Sequence, residues 1–157
     1  MIFGVERVLW LDKGYLKGDD TDSHIDTLAR FCNEDTIAYV KCDNEHDEHF
    51  GELNQMVQQL KAFKTLEGKP YNLVPLPMAE AVYYEGERLP ATYANFLIIN
   101  GAVLMPTYGS SLDKIAEDTL KQTFPDRTIV GIDCLPLIKQ HGSLHCVTMQ
   151  FPEPYID

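Results

Sequence analysis

Leu97-Ile98-Ile99-Asn100-Gly101-Ala102-Val103-Leu104-Met105 reads as two apolar runs joined by the dipeptide Asn100-Gly101. An Asn-Gly pair between such runs is a strong hairpin signal, because the tightest hairpin turn requires positive φ at both central residues. Thr92 to Ile99 is therefore expected as one strand and Ala102 to Pro106 as its partner. Ser111 to Phe124 follows with Leu112, Ile115, Ala116 and Leu120 at helical spacing, and Pro125-Asp126 stops it. Thr128 to Asp133 returns as a strand. The unit is strand, turn, strand, helix, strand.

The same order occurs earlier in the chain. His24 to Cys32 alternates through Ile25, Ala29 and Phe31, Asn33-Glu34-Asp35 makes a short turn, and Thr36 to Cys42 returns as a strand. A helix is predicted from about His46 to Leu66, carried by Phe50, Leu53, Met56, Val57, Leu60 and Phe63 and ended by Gly68 and Pro70. Tyr71 to Pro77 is the strand after it, and Met78 to Pro90 is a long loop. The two units are offset by roughly 60–70 residues, which suggests repeated supersecondary units. A leading strand, Phe3 to Asp12, and a trailing one, Ser143 to Phe151, flank them. Units of this kind arrange radially with sites where strands converge. The chain is expected to hold part of such a ring, and its uncovered strand edges then call for a partner. A single α/β layered domain closing on itself is the alternative.

The 157 residues, 45% hydrophobic and 24% charged, describe one ordinary globular domain. No apolar run approaches the ~18 residues that would cross a bilayer, and the N-terminus has no signal-peptide pattern, so a cytoplasmic location is expected. A net charge of −11 argues against a phosphate-binding surface and thus against nucleic acid. It favours cationic small molecules only weakly. Cys32, Cys42, Cys134 and Cys146 form no CxxC pair and fit no zinc framework, and reduced thiols are expected.

Chemistry concentrates in two places. Gly18-Asp19-Asp20-Thr21-Asp22-Ser23-His24-Ile25-Asp26 sets four aspartates around one histidine. On a strand, His24 and Asp26 would project together while Ile25 and Thr27 turn away, so an imidazole and a carboxylate could hold a cation and move protons. The same acids also suit turns and helix caps. The second place is His141-Gly142-Ser143-Leu144-His145-Cys146, where a bend at glycine would let a ligand approach Cys146. A cysteine nucleophile needs a base or a cationic neighbour, which His24 could supply across the fold. His145 would point to the other side of a strand. A cysteine on an apolar strand can equally be an inert core residue. His46, Asp47 and His49 could approach one another as a metal site, but a solvated acidic helix start is the expectation there, with no metal and no other cofactor.

Taken together, these stretches resemble the agmatine deiminase and bacterial peptidylarginine deiminase family of guanidine-modifying hydrolases. The resemblance rests on residues 18–26, on Tyr93-Ala94-Asn95-Phe96 with Ile99-Asn100-Gly101-Ala102-Val103, on Phe124-Pro125-Asp126-Arg127 with Val130-Gly131-Ile132-Asp133, and on Gly142-Ser143-Leu144-His145-Cys146-Val147-Thr148. It covers nearly the whole chain and maps onto the family's C-terminal half, so the N-terminal half is expected to be absent. It implies an α/β fold that is part of a five-bladed ββαβ propeller of the pentein type. It also implies hydrolysis of agmatine to N-carbamoylputrescine and ammonia in putrescine biosynthesis, with peptidyl arginine as the other substrate. Cys146 would be the nucleophile, His24 the general acid/base and Asp26 the carboxylate that grips the guanidinium. A non-catalytic or incomplete piece, acting only in assembly, is the competing reading. Partners would be a cationic agmatine-like molecule and either further copies of the chain or the missing half. One departure concerns the approach to the cysteine, where His141 stands in place of the family's glycine.

Overall fold

The computed structural model describes residues 4–19 and 24–151. Two copies of one unit dominate it. In the first, β1 (Ala29–Phe31) pairs antiparallel with β2 (Thr36–Lys41), helix α1 (Phe50–Ala62) crosses over, and β3 (Asn72–Pro77) lies parallel to β2. A two-residue hairpin follows, β4 (Tyr83–Tyr84) against β5 (Glu87–Arg88). The second unit repeats the first: β6 (Leu97–Ile99) antiparallel to β7 (Ala102–Thr107), helix α2 (Leu112–Thr123), and β8 (Thr128–Asp133) parallel to β7. Each unit forms its own three-stranded sheet with the middle strand in the centre, so the fold is α/β with mixed sheets. The described residues close no ring.

The helices form where apolar periodicity places them. Leu53, Met56, Val57 and Leu60 lie at i, i+3, i+4 and i+7 and make the buried stripe of α1. Truncating one of them, Leu53→Ala, would cost about 2–5 kcal/mol from lost transfer energy and the cavity left behind. In α2 the buried residues are Ala116 and Leu120, and this helix packs against both β3 and β8, joining the two units. Tyr93, Phe96, Val103 and Met105 fill the core under the second sheet.

Three expected strands have other conformations. Residues 4–12 enter no ladder. Their segment runs along α1, where the backbone N–H groups of Asp12 and Lys13 both donate to Gln59 Oε1, at 3.1 and 3.0 Å. With helix side chains meeting its polar backbone, the segment needs no strand neighbour. The run His24 to Cys32 begins as a 3-10 turn, Ile25–Thr27, and only Ala29–Phe31 is strand. Ser143 to Phe151 holds a 3-10 turn, His145–Val147, and no strand. The expected strand from Thr92 shortens to β6, because the Thr92 hydroxyl turns its own segment by accepting from the Ala94 N–H at 3.2 Å.

The acidic stretch before α1 also departs from a solvated helix start. His49 is fully buried, and its Nε2 accepts from the Lys17 N–H at 2.9 Å. Its Nδ1 therefore carries the proton and donates to Asp47 Oδ1 at 2.5 Å. Arg88, 8% exposed, donates to both Asp47 oxygens at 3.3 and 3.0 Å. Burial alone would raise the Asp47 carboxyl, but Arg88 and His49 override it and hold the group well below the usual carboxylate range. This network ties the 14–19 segment and the β4–β5 hairpin to α1. At Gly18, φ is +84° and an added Cβ would come within 2.4 Å of the Arg88 carbonyl, so only glycine fits there.

Candidate active site

Asp26 sits in the 3-10 turn at the mouth of the first unit. That turn is held by Thr27, whose hydroxyl lies 2.8 Å from both Asp19 Oδ2 and the His24 carbonyl. The Thr27 carbonyl in turn accepts from the Thr92 hydroxyl at 2.7 Å, which brings the second unit's leading segment alongside. A buried chain continues from there: the Thr92 N–H donates to Tyr108 Oη at 3.0 Å, and Tyr108 Oη lies 3.1 Å from Ser143 Oγ. Ser143 anchors the turn that presents His145 and Cys146. Three segments distant in sequence thus meet at one point.

The meeting point is a compact polar cluster. His145 Nδ1 is 2.6 Å from Asp26 Oδ2. Asn95, fully buried, donates from Nδ2 to Asp26 Oδ2 at 3.1 Å and to the Asp26 carbonyl at 3.2 Å. The same nitrogen lies 3.4 Å from Cys146 Sγ, while Asn95 Oδ1 accepts from the His145 N–H at 2.7 Å. Cys146 Sγ is 3.7 Å from Asp26 Oδ2. The contacts of the Asp26 carboxylate converge on Oδ2, and among the described residues no side chain hydrogen-bonds Oδ1. Oδ2 is the anchored oxygen.

Desolvation around the sulfur, followed by the negative charge of Asp26, pushes the Cys146 thiol above its ordinary value. Opposing this are backbone hydrogen bonding at Ser143 and the Asn95 amide. A cation placed on Asp26 would cancel the second cause and favour the thiolate. Gly142 gives the turn its room, since a Cβ there would lie 3.2 Å from Cys146 Cβ. His141 takes the left-handed conformation at φ +66°, and its Nδ1 reaches the Gly18 carbonyl at 3.1 Å. The His141 side chain thus ties the cysteine loop to the 14–19 segment.

His24 and Asp26 both line a cavity of about 710 Å³, together with His145, Arg30 and the 8–14 segment. The His24 ring makes no hydrogen bond to a described residue. Thr27, expected to share the opposite face with Ile25, is buried while Ile25 is exposed, because a 3-10 turn and not a strand carries them. Asp20, Thr21, Asp22 and Ser23 of the acidic loop lie outside the described residues. His145, expected to face away, is the imidazole in contact with Asp26. The strand assumption produced that error, since on a 3-10 turn neighbouring side chains do not alternate between two faces. Asn95 had no assigned part. It lies in one of the stretches that carry the resemblance, and its further signal was an uncharged polar residue between Ala94 and Phe96, an apolar setting in which a buried amide must find partners. His46 and His49 do not converge: His49 is committed to Asp47 and Lys17, and no group of ligating side chains suited to a metal occurs among the described residues.

Comparison with known proteins places the arrangement. The family model for Porphyromonas-type peptidyl-arginine deiminase matches residues 1–152. A protein named as an agmatine deiminase in Legionella pneumophila (strain Paris) is 33% identical over 153 residues, covering 97% of this chain and 44% of its own length. A crystal structure described as an arginine deiminase from Porphyromonas gingivalis is 61% identical with a TM-score of 0.95, over 98% of this chain and 45% of that one. C. jejuni agmatine deiminase, solved with substrate bound, is 44% identical with a TM-score of 0.85, over 92% and 41%. The chain therefore spans less than half the length of the relatives it matches.

Proposed function

This chain belongs to the Porphyromonas-type peptidyl-arginine deiminase family, and on that premise we propose that its site hydrolyses a guanidino group to a urea with release of ammonia. The observation that carries the reading is the Asp26 carboxylate, which lines the cavity, held 3.7 Å from Cys146 Sγ. A guanidinium is a flat cation rich in N–H donors, which a carboxylate oxygen accepts through charge-assisted hydrogen bonds. Asp26 binds that head and sets its carbon against the sulfur. The bound cation offsets the charge that raises the thiol, so the substrate helps to ionise its own nucleophile.

The Cys146 thiolate adds to the guanidinium carbon, forming a C–S bond. His24, from the wall of the same cavity, gives a proton to one terminal nitrogen as the C–N bond breaks, and ammonia leaves. Water then adds to the thiouronium carbon, and His24 takes its proton. The C–S bond breaks, the sulfur departs as thiolate, and the remaining hydroxyl proton passes to solvent, where the released ammonia takes it up as ammonium. One water enters and one ammonia leaves. Agmatine is the substrate we favour, on the names its relatives carry, and the product is then N-carbamoylputrescine. Peptidyl arginine, after which the family model is named, is the other substrate to assay.

The two repeated units are consistent with two blades of a five-bladed propeller. With Oδ2 engaged by His145 and Asn95, Asp26 offers Oδ1 to the N–H donors of a guanidinium, and we assign the remaining donors to groups beyond this chain. Association with the remaining half of such an enzyme, or with further copies, then completes the site. Ammonia release from agmatine and from a peptidyl-arginine substrate, compared between the parent chain and Cys146→Ala with and without a separately expressed N-terminal half of a relative, tests the whole reading. Turnover that survives Cys146→Ala would overturn it.

A further inference from the structure

Asn95 belongs to the second repeated unit, Asp26 to the first, and Cys146 to the segment after both. Its side chain is fully buried, so each of its polar atoms needs a partner. Those partners are the Asp26 carbonyl, Asp26 Oδ2, the His145 N–H, and Cys146 Sγ, which lies 3.4 Å from Nδ2 and 3.6 Å from Oδ1. They also fix which way the amide points. The acceptors on Asp26 require the NH₂ group, and the His145 N–H requires the oxygen.

We propose that Asn95 is a positioning residue for the reaction: one amide sets the spacing between the cation-binding carboxylate of Asp26 and the nucleophilic sulfur of Cys146. The proposal rests on the deiminase reading given above. The chemistry of the amide suits the task. It donates to a carboxylate and a sulfur while accepting from a peptide N–H, a combination that Asp, Ser or a charged side chain does not offer. Being neutral, it adds no repulsion toward an incoming cation. Glutamine would carry the amide one methylene too far for a site this closely packed.

The amide is itself held rigidly. Asn95 N–H lies 3.5 Å from the Thr92 carbonyl, the Thr92 hydroxyl is fixed on the Thr27 carbonyl, and Tyr108 Oη accepts from the Thr92 N–H. Asn95 therefore acts as a short buried strut between elements that no strand pairing joins. Its loss would let Asp26 and Cys146 drift apart, and a displacement of 1 Å is enough to cost such a site much of its rate.

The test compares chloroacetamidine, whose amidinium copies the guanidinium head, with the neutral chloroacetamide. Alkylation of Cys146 is followed by mass spectrometry, each rate normalised to free cysteine. The expected result is a preference for chloroacetamidine in the parent chain, lost in Asp26→Ala and reduced roughly ten-fold in Asn95→Ala. Chloroacetamide at a pH where the thiol is fully ionised should react within about two-fold of parent in Asn95→Ala. A purely structural role would slow both reagents equally, and that outcome overturns the proposal, as does full retention of the preference. If Asn95→Ala fails to fold, the isosteric Asn95→Asp carries the test. Without the Nδ2 donor and with a like charge beside the sulfur, its chloroacetamide rate should reach half-maximum about one pH unit higher. An unmoved midpoint overturns the proposal. If instead the parent chain shows no preference, or Asp26→Ala keeps it, the deiminase reading fails first and this proposal with it.

Discussion

His145 Nδ1 stands 2.6 Å from Asp26 Oδ2 although 119 residues separate the two in sequence. The contact fastens the carboxylate from the side of the turn that carries Cys146, so the two are mechanically linked. One oxygen of Asp26 is held by both His145 and Asn95, which fixes the orientation of the carboxylate. Pre-setting of this kind lowers the ordering cost when a cation binds.

Asp26→Asn is expected to leave the fold intact, because amide and carboxylate have the same shape. It should weaken binding of agmatine by about 1.5–3 kcal/mol, the usual worth of a charge-assisted hydrogen bond. Isothermal calorimetry on the parent chain and the variant measures this, and equal affinities would remove Asp26 from its assigned role.

Cys146 is expected to be the first of the four thiols to react with a haloacetamidine. Cys42 and Cys134 are buried, and burial pushes the Cys32 thiol up to about 11. The Cys146 thiol is also raised, in part by Asp26, so its alkylation by neutral reagents should climb as pH rises beyond the ordinary thiol range. Saturating agmatine that cannot itself alkylate should move that climb to lower pH, because an opposite charge favours the thiolate. Brief labelling followed by peptide mapping reads the first point. A protected Cys146 with an unmoved profile for the remainder would count against the second.

Arg88→Ala is expected to destabilise the chain by about 1.5–3 kcal/mol at neutral pH, since it removes charge-assisted hydrogen bonds from the half-buried Asp47 carboxylate. The sign of the pH dependence follows from a depressed folded-state carboxyl. Its contribution is present above the unfolded value of about 4, and it is lost as pH falls toward the lower folded value. Urea titrations should therefore show the gap between parent and variant narrowing below about pH 4. A gap that stays constant with pH would mean that Asp47 is not the group responsible.

A dilute sample of this chain alone is expected to release ammonia from agmatine slowly or not at all. Positioning and paired electrostatic contacts supply most of the acceleration in reactions of this type, and one carboxylate grips only part of a guanidinium. Adding the separately expressed N-terminal half of a related deiminase should raise the rate. Robust turnover by a dilute monomer, abolished in Cys146→Ala, would show that the other half is not needed.

Much of the architecture follows from the chain order of residues alone. Asn100-Gly101 joins β6 to β7 through a local turn that needs no distant partner, although only Gly101, at φ +76°, takes the left-handed conformation and Asn100 does not. The apolar stripe of α1 and the Pro125 stop after α2 are local in the same sense, and the repeat of strand, strand, helix and strand follows from them. His24 to Cys32 and Ser143 to Phe151 show the limit of that logic. Apolar alternation signals a strand only if a neighbouring strand accepts its hydrogen bonds, and pairing of that kind is not written in the segment itself. Both regions became 3-10 turns at the site, and the turn is what aims His145 at Asp26. Asn95 was illegible for a related reason: its four partners come from residues 50 to 69 positions away, and only the packing of two units and a terminal loop brings them within hydrogen-bond reach.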